Sequence, residues 1–387
     1  MSDPKTTGLI HQAYTPPAGF ESPQVGVHKA STIIFPNVAA VRARDWRHKT
    51  GYTYGLHGTP TTFTLEERIA ALEGGRFCSL VPSGLAAITL VDMALLRQGD
   101  EVLLPDNVYG PSREFARHEL AHWGITHKLY DPMNPASLAA AIGPATRLVW
   151  IEAPGSVTME FPDLPALFAI ARQRGVTSAI DNTWGAGIAF DAFALGADIV
   201  MQALTKYPSG GGDVLMGSVV TQDEALHHRI KLAAMRLGSG VAGNDAELLL
   251  RSLPSLALRY QATDAAGRTL ARWLATRPEI GRVLHPALEG SPGHAHWQAS
   301  CSAAAGLFSV IVDARYSAAQ VDAFVDALRV FRIGYSWAGP VSLVVPYDLQ
   351  AMRQPAPYQG TLVRFSIGLE NVADLQADIA QALAAVF

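Results

Sequence analysis

Cysteine is scarce in this sequence. Cys78 and Cys301 are the only two in 387 residues, far apart and forming no Cys-x-x-Cys pattern, which excludes that redox or metal motif and fits a reducing cytoplasm. Excess charge is scarce too. With 30 basic and 34 acidic side chains the formal net charge is −4 and no basic block appears, so nucleic acid is not an expected partner. Long apolar runs are missing. The longest, 85–96, carries Asp92 and is too short to span a bilayer. The start, Met1-Ser2-Asp3-Pro4-Lys5, has no apolar core of the kind a secretory leader needs. No repeat, low-complexity tract or flexible linker stands out. What is present is 49% apolar residues, enough for a large core, with two or three folding units expected.

The first sixty residues lack strong periodicity and are rich in proline, glycine and scattered basic residues. Such an arm (1–60) cannot bury itself and is expected to wrap the rest of the molecule or a second subunit. From Thr64, the spacing of Leu65, Ile69 and Leu72 predicts a helix that Gly74-Gly75 stops. Short apolar runs at 77–81, 101–104, 148–151, 178–180 and 199–203 predict strands, and the amphipathic runs 85–96, 111–123, 164–174 and 190–195 between them predict helices or helical turns. This alternation implies an α/β unit (61–240) with a mainly parallel sheet covered on both faces. Beyond 240 the texture changes. A helical zone at 245–277, strands at 306–312, 342–345 and 362–367, and helices at 318–330 and from Val372 predict a smaller α+β unit (241–387).

The chemistry gathers at predicted strand ends. Lys206 follows the run 197–203, just before Gly210-Gly211-Gly212, where open α/β sheets hold their ligands. Burial there lowers an ammonium's pKa toward a nucleophilic amine able to form a Schiff base, while a snorkelling lysine is the competing reading. Ser83-Gly84-Leu85 stands between a strand and a helix, suited to a phosphate or simply to a helix cap. Asp181, at a strand end before Asn182-Thr183-Trp184, suits a cationic ring nitrogen or a turn. Tyr109 suits stacking on a flat ring or a place in the core. A phosphate cradle, a stacking group, an acidic ring partner and a lysine together are what pyridoxal 5′-phosphate requires.

With Tyr54-Gly55, Leu72-Glu73-Gly74-Gly75, Thr205-Lys206-Tyr207, Thr361-Leu362-Val363-Arg364 and Gly368-Leu369-Glu370 added, nearly the whole chain resembles the Cys/Met-metabolism family of fold-type I pyridoxal-phosphate enzymes. Within that family it is most similar to the bacterial cystathionine β-lyases. The segment Glu152-Ala153-Pro154-Gly155-Ser156-Val157-Thr158-Met159-Glu160 resembles the β-lyase version of a stretch that γ-acting members usually write Pro-x-Asn-Pro. The resemblance implies an aspartate-aminotransferase-like fold and a cytoplasmic homotetramer built from dimers with shared active sites. It also implies elimination from a sulfur-containing amino acid. Lys206 and Tyr109 become the catalytic residues, with Lys206 linked covalently to the cofactor and Asp181 on its ring nitrogen. Tyr109 stacks on the ring, and Ser83, Gly84, Leu85 and Thr205 hold the phosphate, joined by Tyr54 from the neighbouring subunit. Arg364 grips the substrate α-carboxylate in a pocket lined by Ser336 and Trp337.

One position departs from the pattern. Where the family usually reads Tyr-x-Arg and the familiar β-lyases carry a second arginine, this chain has Tyr54-Gly55-Leu56-His57. His57 is then expected near the distal part of the substrate, with Arg42, Arg44, Arg47 or Arg113 as substitutes for the missing phosphate ligand. A cysteine or cysteine-conjugate β-lyase, a γ-acting lyase or synthase, and a non-catalytic regulator that keeps the fold are the alternatives. His227-His228 and His294-x-His296 lack the spacing of a metal site, so no metal is expected.

Overall fold

A computed structural model describes residues 4–387; the leader reading at Met1, Ser2 and Asp3 lies outside them. Seven strands, β1 (Phe77–Val81), β2 (Glu101–Pro105), β3 (Thr126–Tyr130), β4 (Thr146–Glu152), β5 (Thr177–Asp181), β6 (Ile199–Ala203) and β7 (Gly217–Thr221), form one sheet in the order β1-β7-β6-β5-β4-β2-β3. All pairs are parallel except those of β7, which runs against both β1 and β6.

Side chains alternate across this sheet, and both faces are apolar. Leu103, Val149, Ile151, Ile180 and Val200 point to one side, where they meet Leu65 and Ile69 of helix Pro60–Glu73 and Leu164 and Leu167 of helix Leu164–Gln173. Val102, Leu104, Leu148, Trp150, Ile199 and Met201 point to the other, against Ile88 and Leu90 of helix Gly84–Leu95 and Ile230 of helix Glu224–Leu237. This two-sided burial is why the strands read as continuous apolar runs rather than alternating ones.

The second sheet is built from β8 (Ile280–Leu284), β9 (Leu307–Val312), β10 (Arg332–Ile333), β11 (Leu343–Tyr347) and β12 (Thr361–Ser366), in the order β10-β11-β12-β9-β8. Phe308, Val310, Val363 and Phe365 pack beneath helices Leu256–Leu274, Ala318–Asp326 and Val372–Val386. The α/β fold with a mainly parallel central sheet expected from the pattern is the one present.

Four strands escape the pattern. β3 is an edge strand, Thr-His-Lys-Leu-Tyr, whose first four side chains are exposed or half-exposed, so no apolar run marks it. β7 begins with Gly-Ser just after the glycine-rich turn, β8 buries only its two end residues fully, β10 is exposed, and both β8 and β10 carry an arginine. The arm holds two short helices, Pro4–Ile10 and Val38–Arg42, and is otherwise irregular up to Tyr54. Leu9 is buried, whereas Phe20, Ile34 and Val38 stand in solvent, Ile34 at 85% exposure. Among the described residues no helix is long and apolar enough to cross a membrane.

Candidate active site

Parallel strands bring their carboxyl ends to one edge, and the predicted residues collect there. Asp181 closes β5, Glu152 closes β4, and Lys206 follows β6 within a tight turn in which its N–H bonds Ala203 O at 3.0 Å. Lys206 Nζ donates to Ser336 Oγ at 2.6 Å and sits 5.5 Å from the centre of the Trp337 ring. Burial, reinforced by Arg364 and opposed by Asp181, lowers its pKa from 10.5 to about 8. Roughly a tenth of this amine is therefore free base at pH 7, far more than for an ordinary lysine. Ser336 and Ala338 have φ of +90° and +66°, a left-handed conformation costing about 1 to 3 kcal/mol at a non-glycine residue, and Trp337 lies between them. That strained turn, from the second sheet's side of the molecule, carries the Ser336 hydroxyl to Lys206.

Asp181 is shaped by its neighbours. Its Oδ1 accepts from Thr183 N at 2.9 Å and Thr183 Oγ1 at 2.5 Å, and the Thr183 hydroxyl accepts from Ala203 N at 2.9 Å. Among the described residues no hydrogen bond reaches Oδ2, which leaves one oxygen for an outside N–H donor. Burial raises the Asp181 pKa, while the Thr183 bonds and Lys206 lower it. Tyr109 stands at the entry to helix Gly110–Phe115 with its side chain 42% exposed, and its N–H donates to Glu152 Oε2 at 2.7 Å. Burial first, then Asp181 and Glu152, raises its phenol pKa, and Arg364 opposes them. Tyr109, Asp181, Lys206 and Arg364 therefore share one electrostatic neighbourhood.

Arg364 lies in the middle of β12, opposite Val345 and Ser309. Its guanidinium rests 5.2 Å from the centre of the Tyr347 ring and donates to Ser336 O at 3.4 Å. Burial lowers its pKa. Among the described residues no carboxylate forms an ion pair with it. A largely buried guanidinium without an acid is a site for an incoming one.

Ser83 caps helix Gly84–Leu95, its Oγ accepting from Ala86 N at 3.0 Å, and the N–H groups of Gly84 and Leu85 have no partner among the described residues. Gly84 is needed because a Cβ there would lie 2.5 Å from Ala203 Cβ, so the helix start packs directly on β6. Cap and anion cradle coexist at this turn. The Thr205 hydroxyl is already engaged by Met216, accepting from its N at 3.1 Å and donating to its O at 3.3 Å.

Tyr54 and His57 are not brought to this cluster. Tyr54 is 44% exposed, its hydroxyl 3.5 Å from Ser31 Oγ and its ring edge-on to His57, whose Nδ1 is 2.8 Å from Thr53 Oγ1. The His57 pKa is lowered by burial, then by Lys231 and Arg44, so that pair lies in a positive field. Arg113 is committed elsewhere, donating to Met352 O at 2.8 Å.

Sequence reasoning did not assign roles to several neighbours. Thr183 locks Asp181, Tyr347 underlies Arg364, and Glu152 anchors Tyr109. Arg353 joins Glu160 at 2.9 Å and Asp106 at 2.9 Å, tying the loop before β12 to the loops after β4 and β2. Glu152 ends a strand level with Asp181, a pairing that only the folded sheet shows. Elsewhere, His228 meets Glu224 and His48 with donor atoms within 4.8 Å, and His48 Nδ1 is 2.6 Å from Asp45 Oδ2. His227 stacks on Phe77 with ring centres 5.0 Å apart.

The pattern defining the Cys/Met metabolism PLP-dependent enzymes matches residues 6–384. The cystathionine β-lyase of Bordetella avium is 40% identical over 92% of this chain and 90% of its own. That of Salmonella typhimurium is 35% identical over 93% of each. The crystal structure of metB from Corynebacterium glutamicum superposes with a TM-score of 0.91 at 27% identity, covering 100% of this chain and 99% of that one.

Proposed function

The chain belongs to the Cys/Met metabolism PLP-dependent enzyme family, and from that premise we propose that it is a carbon–sulfur lyase converting L-cystathionine and water to homocysteine, pyruvate and ammonia. Its coenzyme is pyridoxal 5′-phosphate, and the residues present fit that group. Among the described residues Asp181 has one unbonded carboxylate oxygen for the ring N–H, Gly84 and Leu85 have unpaired N–H groups for the phosphate, and Lys206 offers an amine that loses its proton more readily than an ordinary lysine. When bound, the coenzyme supplies an electron sink for the charge left at Cα.

The observation that carries the reading is Arg364, largely buried with no acidic partner among the described residues, beside Lys206 and Tyr109. Arg364 binds the substrate α-carboxylate in a two-pronged pair, with Tyr347 under the guanidinium and Ser336 and Trp337 along the rim. That grip orients Cα toward Lys206. Lys206 then takes the Cα proton, a role suited to an amine with a pKa of about 8. Asp181, fixed by Thr183, keeps a proton on the ring nitrogen, and Tyr109 shields the ring from water. Ser83, Gly84, Leu85 and the Thr205 turn hold the phosphate.

The 152–160 segment and the named β-lyase relatives favour β- over γ-elimination. A Pseudomonas putida L-methionine γ-lyase is also similar, 32% identical over 98% of this chain, so the γ reading is kept as the contrast. The solvent-facing arm and the distance of Tyr54 and His57 from their own chain's cluster support a homo-oligomer, a tetramer built from two dimers in which Tyr54 and His57 serve a neighbouring site. A cytoplasmic enzyme is in keeping with that assembly. The decisive assay supplies cystathionine to holoprotein and identifies the products. Homocysteine with pyruvate is expected, at a higher kcat/KM than cysteine supports. Cysteine with 2-oxobutyrate would replace this reading with the γ-lyase one.

A further inference from the structure

Glu152 ends β4 one strand away from Asp181 and directly opposite it in the parallel register. Adjacent strands lie about 4.8 Å apart, so two carboxyl-bearing residues stand side by side at the edge where the site forms. Glu152 is 8% exposed. Both of its oxygens are taken, Oε2 by the Tyr109 N–H at 2.7 Å and Oε1 by the Ser156 hydroxyl at 2.5 Å.

These bonds belong to a zipper between the loops that follow β2 and β4. Ser156 N donates to Asn107 O at 2.9 Å, and Asn107 Nδ2 donates to Glu160 Oε2 at 2.5 Å. Gly155 permits that approach, because a Cβ there would lie 2.0 Å from Asn107 Nδ2. Among the described residues the Tyr109 side chain has no hydrogen bond, so its place depends on its backbone, and Glu152 is the side chain that holds its N–H.

We propose that Glu152 is a positioning residue, which fixes where Tyr109 stands and sets a second buried carboxyl beside Asp181 so that the pair determines the charge offered to the coenzyme ring. The inference rests on the roles given above to Asp181 and Tyr109. The titratable groups facing Glu152 are Asp181 from β5, Tyr109 from the loop after β2 and Tyr130 from β3. Lys206 and Arg364 act on Asp181 and Tyr109. Burial, then Asp181, pushes the Glu152 carboxyl up to about 8. Two carboxylates this close do not both ionise readily in a buried site, so the pair holds a proton near neutrality. Above that range Glu152 gains charge and favours cationic forms around it.

The test strips the coenzyme and titrates pyridoxal 5′-phosphate back into wild type, Glu152→Ala and Glu152→Gln. It reads the dissociation constant and the pH midpoint of the coenzyme's visible band, then kcat and KM on cystathionine. Glu152→Ala frees Tyr109 and is expected to weaken coenzyme binding and lower kcat by about ten- to a hundred-fold, with KM changing less. Glu152→Gln keeps an acceptor for the Tyr109 N–H, so coenzyme affinity stays within about three-fold while the midpoint moves down by about half a pH unit or more, because the glutamine lacks the negative charge that Glu152 gains above about pH 8. If Glu152→Ala folds and keeps both wild-type affinity and midpoint, the proposal is overturned. If Glu152→Ala does not fold, Glu152→Gln decides, and an unmoved midpoint overturns it. Failure of the underlying reading looks different, since wild type itself would then form no visible band.

Discussion

Lys206 is held where its own charge is disfavoured. Its pKa in the folded chain, about 8, lies below the ordinary 10.5, so the folded state binds this proton less tightly than the unfolded state does. The resulting penalty is full below pH 8, fades between pH 8 and 10.5, and is absent above. The shift corresponds to about 3 kcal/mol at most, and roughly 1 to 2 kcal/mol after a discount for the amine's partial exposure. Lys206→Met is therefore expected to stabilise the coenzyme-free protein by roughly that amount at pH 7 and not at pH 11, read by denaturant unfolding, while abolishing the visible band of the holoprotein. Arg364→Lys keeps the charge but loses the planar fork, and a fall in kcat/KM of about ten- to a hundred-fold, mostly through KM, is expected in steady-state kinetics. Lys206, Asp181 and Ser83 could be picked out in the sequence because each follows a recognisable strand. Ser336 could not be tied to Lys206 in that way, since the positive φ that turns it there is a product of tertiary packing.

At the scale of elements, the loops carry more of the site than the strands. Arg353 fastens three of them together, with Glu160 and Asp106 as its acids, and Glu160 is 4% exposed. Removing the cation strands a buried carboxylate, so Arg353→Met should destabilise the protein by about 3 kcal/mol. The loss should show as a lower urea midpoint with an unchanged slope. The strands of the large sheet were legible because both its faces are covered, which writes them as short apolar runs. β3 and β10 are largely exposed, β8 buries only its two ends fully, and β7 owes its place to partners on both sides rather than to its own Gly-Ser-Val-Val-Thr. Glu152 was hidden for a related reason: its meaning depends on a neighbour, Asp181, that only strand pairing supplies.

For the whole molecule, the unanswered surface is the arm. Phe20, Ile34 and Val38 present apolar side chains to solvent, and Tyr54 and His57 stand apart from the cluster around Lys206. A second copy covering this surface would account for both facts. Light scattering should find at least a dimer at micromolar concentration, and Ile34→Asp should shift it toward monomer while weakening coenzyme binding in parallel. A monomer with full activity would remove the shared-site reading. The sequence marked the arm as unable to bury itself but could not show which residues it leaves uncovered, because that depends on where the rest of the chain stops.

The reversed strand β7 also governs when this protein can fold. Phe77 pairs with Thr221 and Val81 with Gly217, so β1 has no hydrogen-bonded neighbour until β7 arrives. During synthesis, an apolar strand from the first quarter of the chain must wait for one made past its midpoint. Contacts so remote in sequence slow the search for the native state and leave a sticky edge uncovered meanwhile. Refolding from denaturant should accordingly be slow and yield-limited at high protein concentration. In the cell, the interval between emergence of Val81 and of Gly217 from the ribosome is one in which β1 has no strand to pair with.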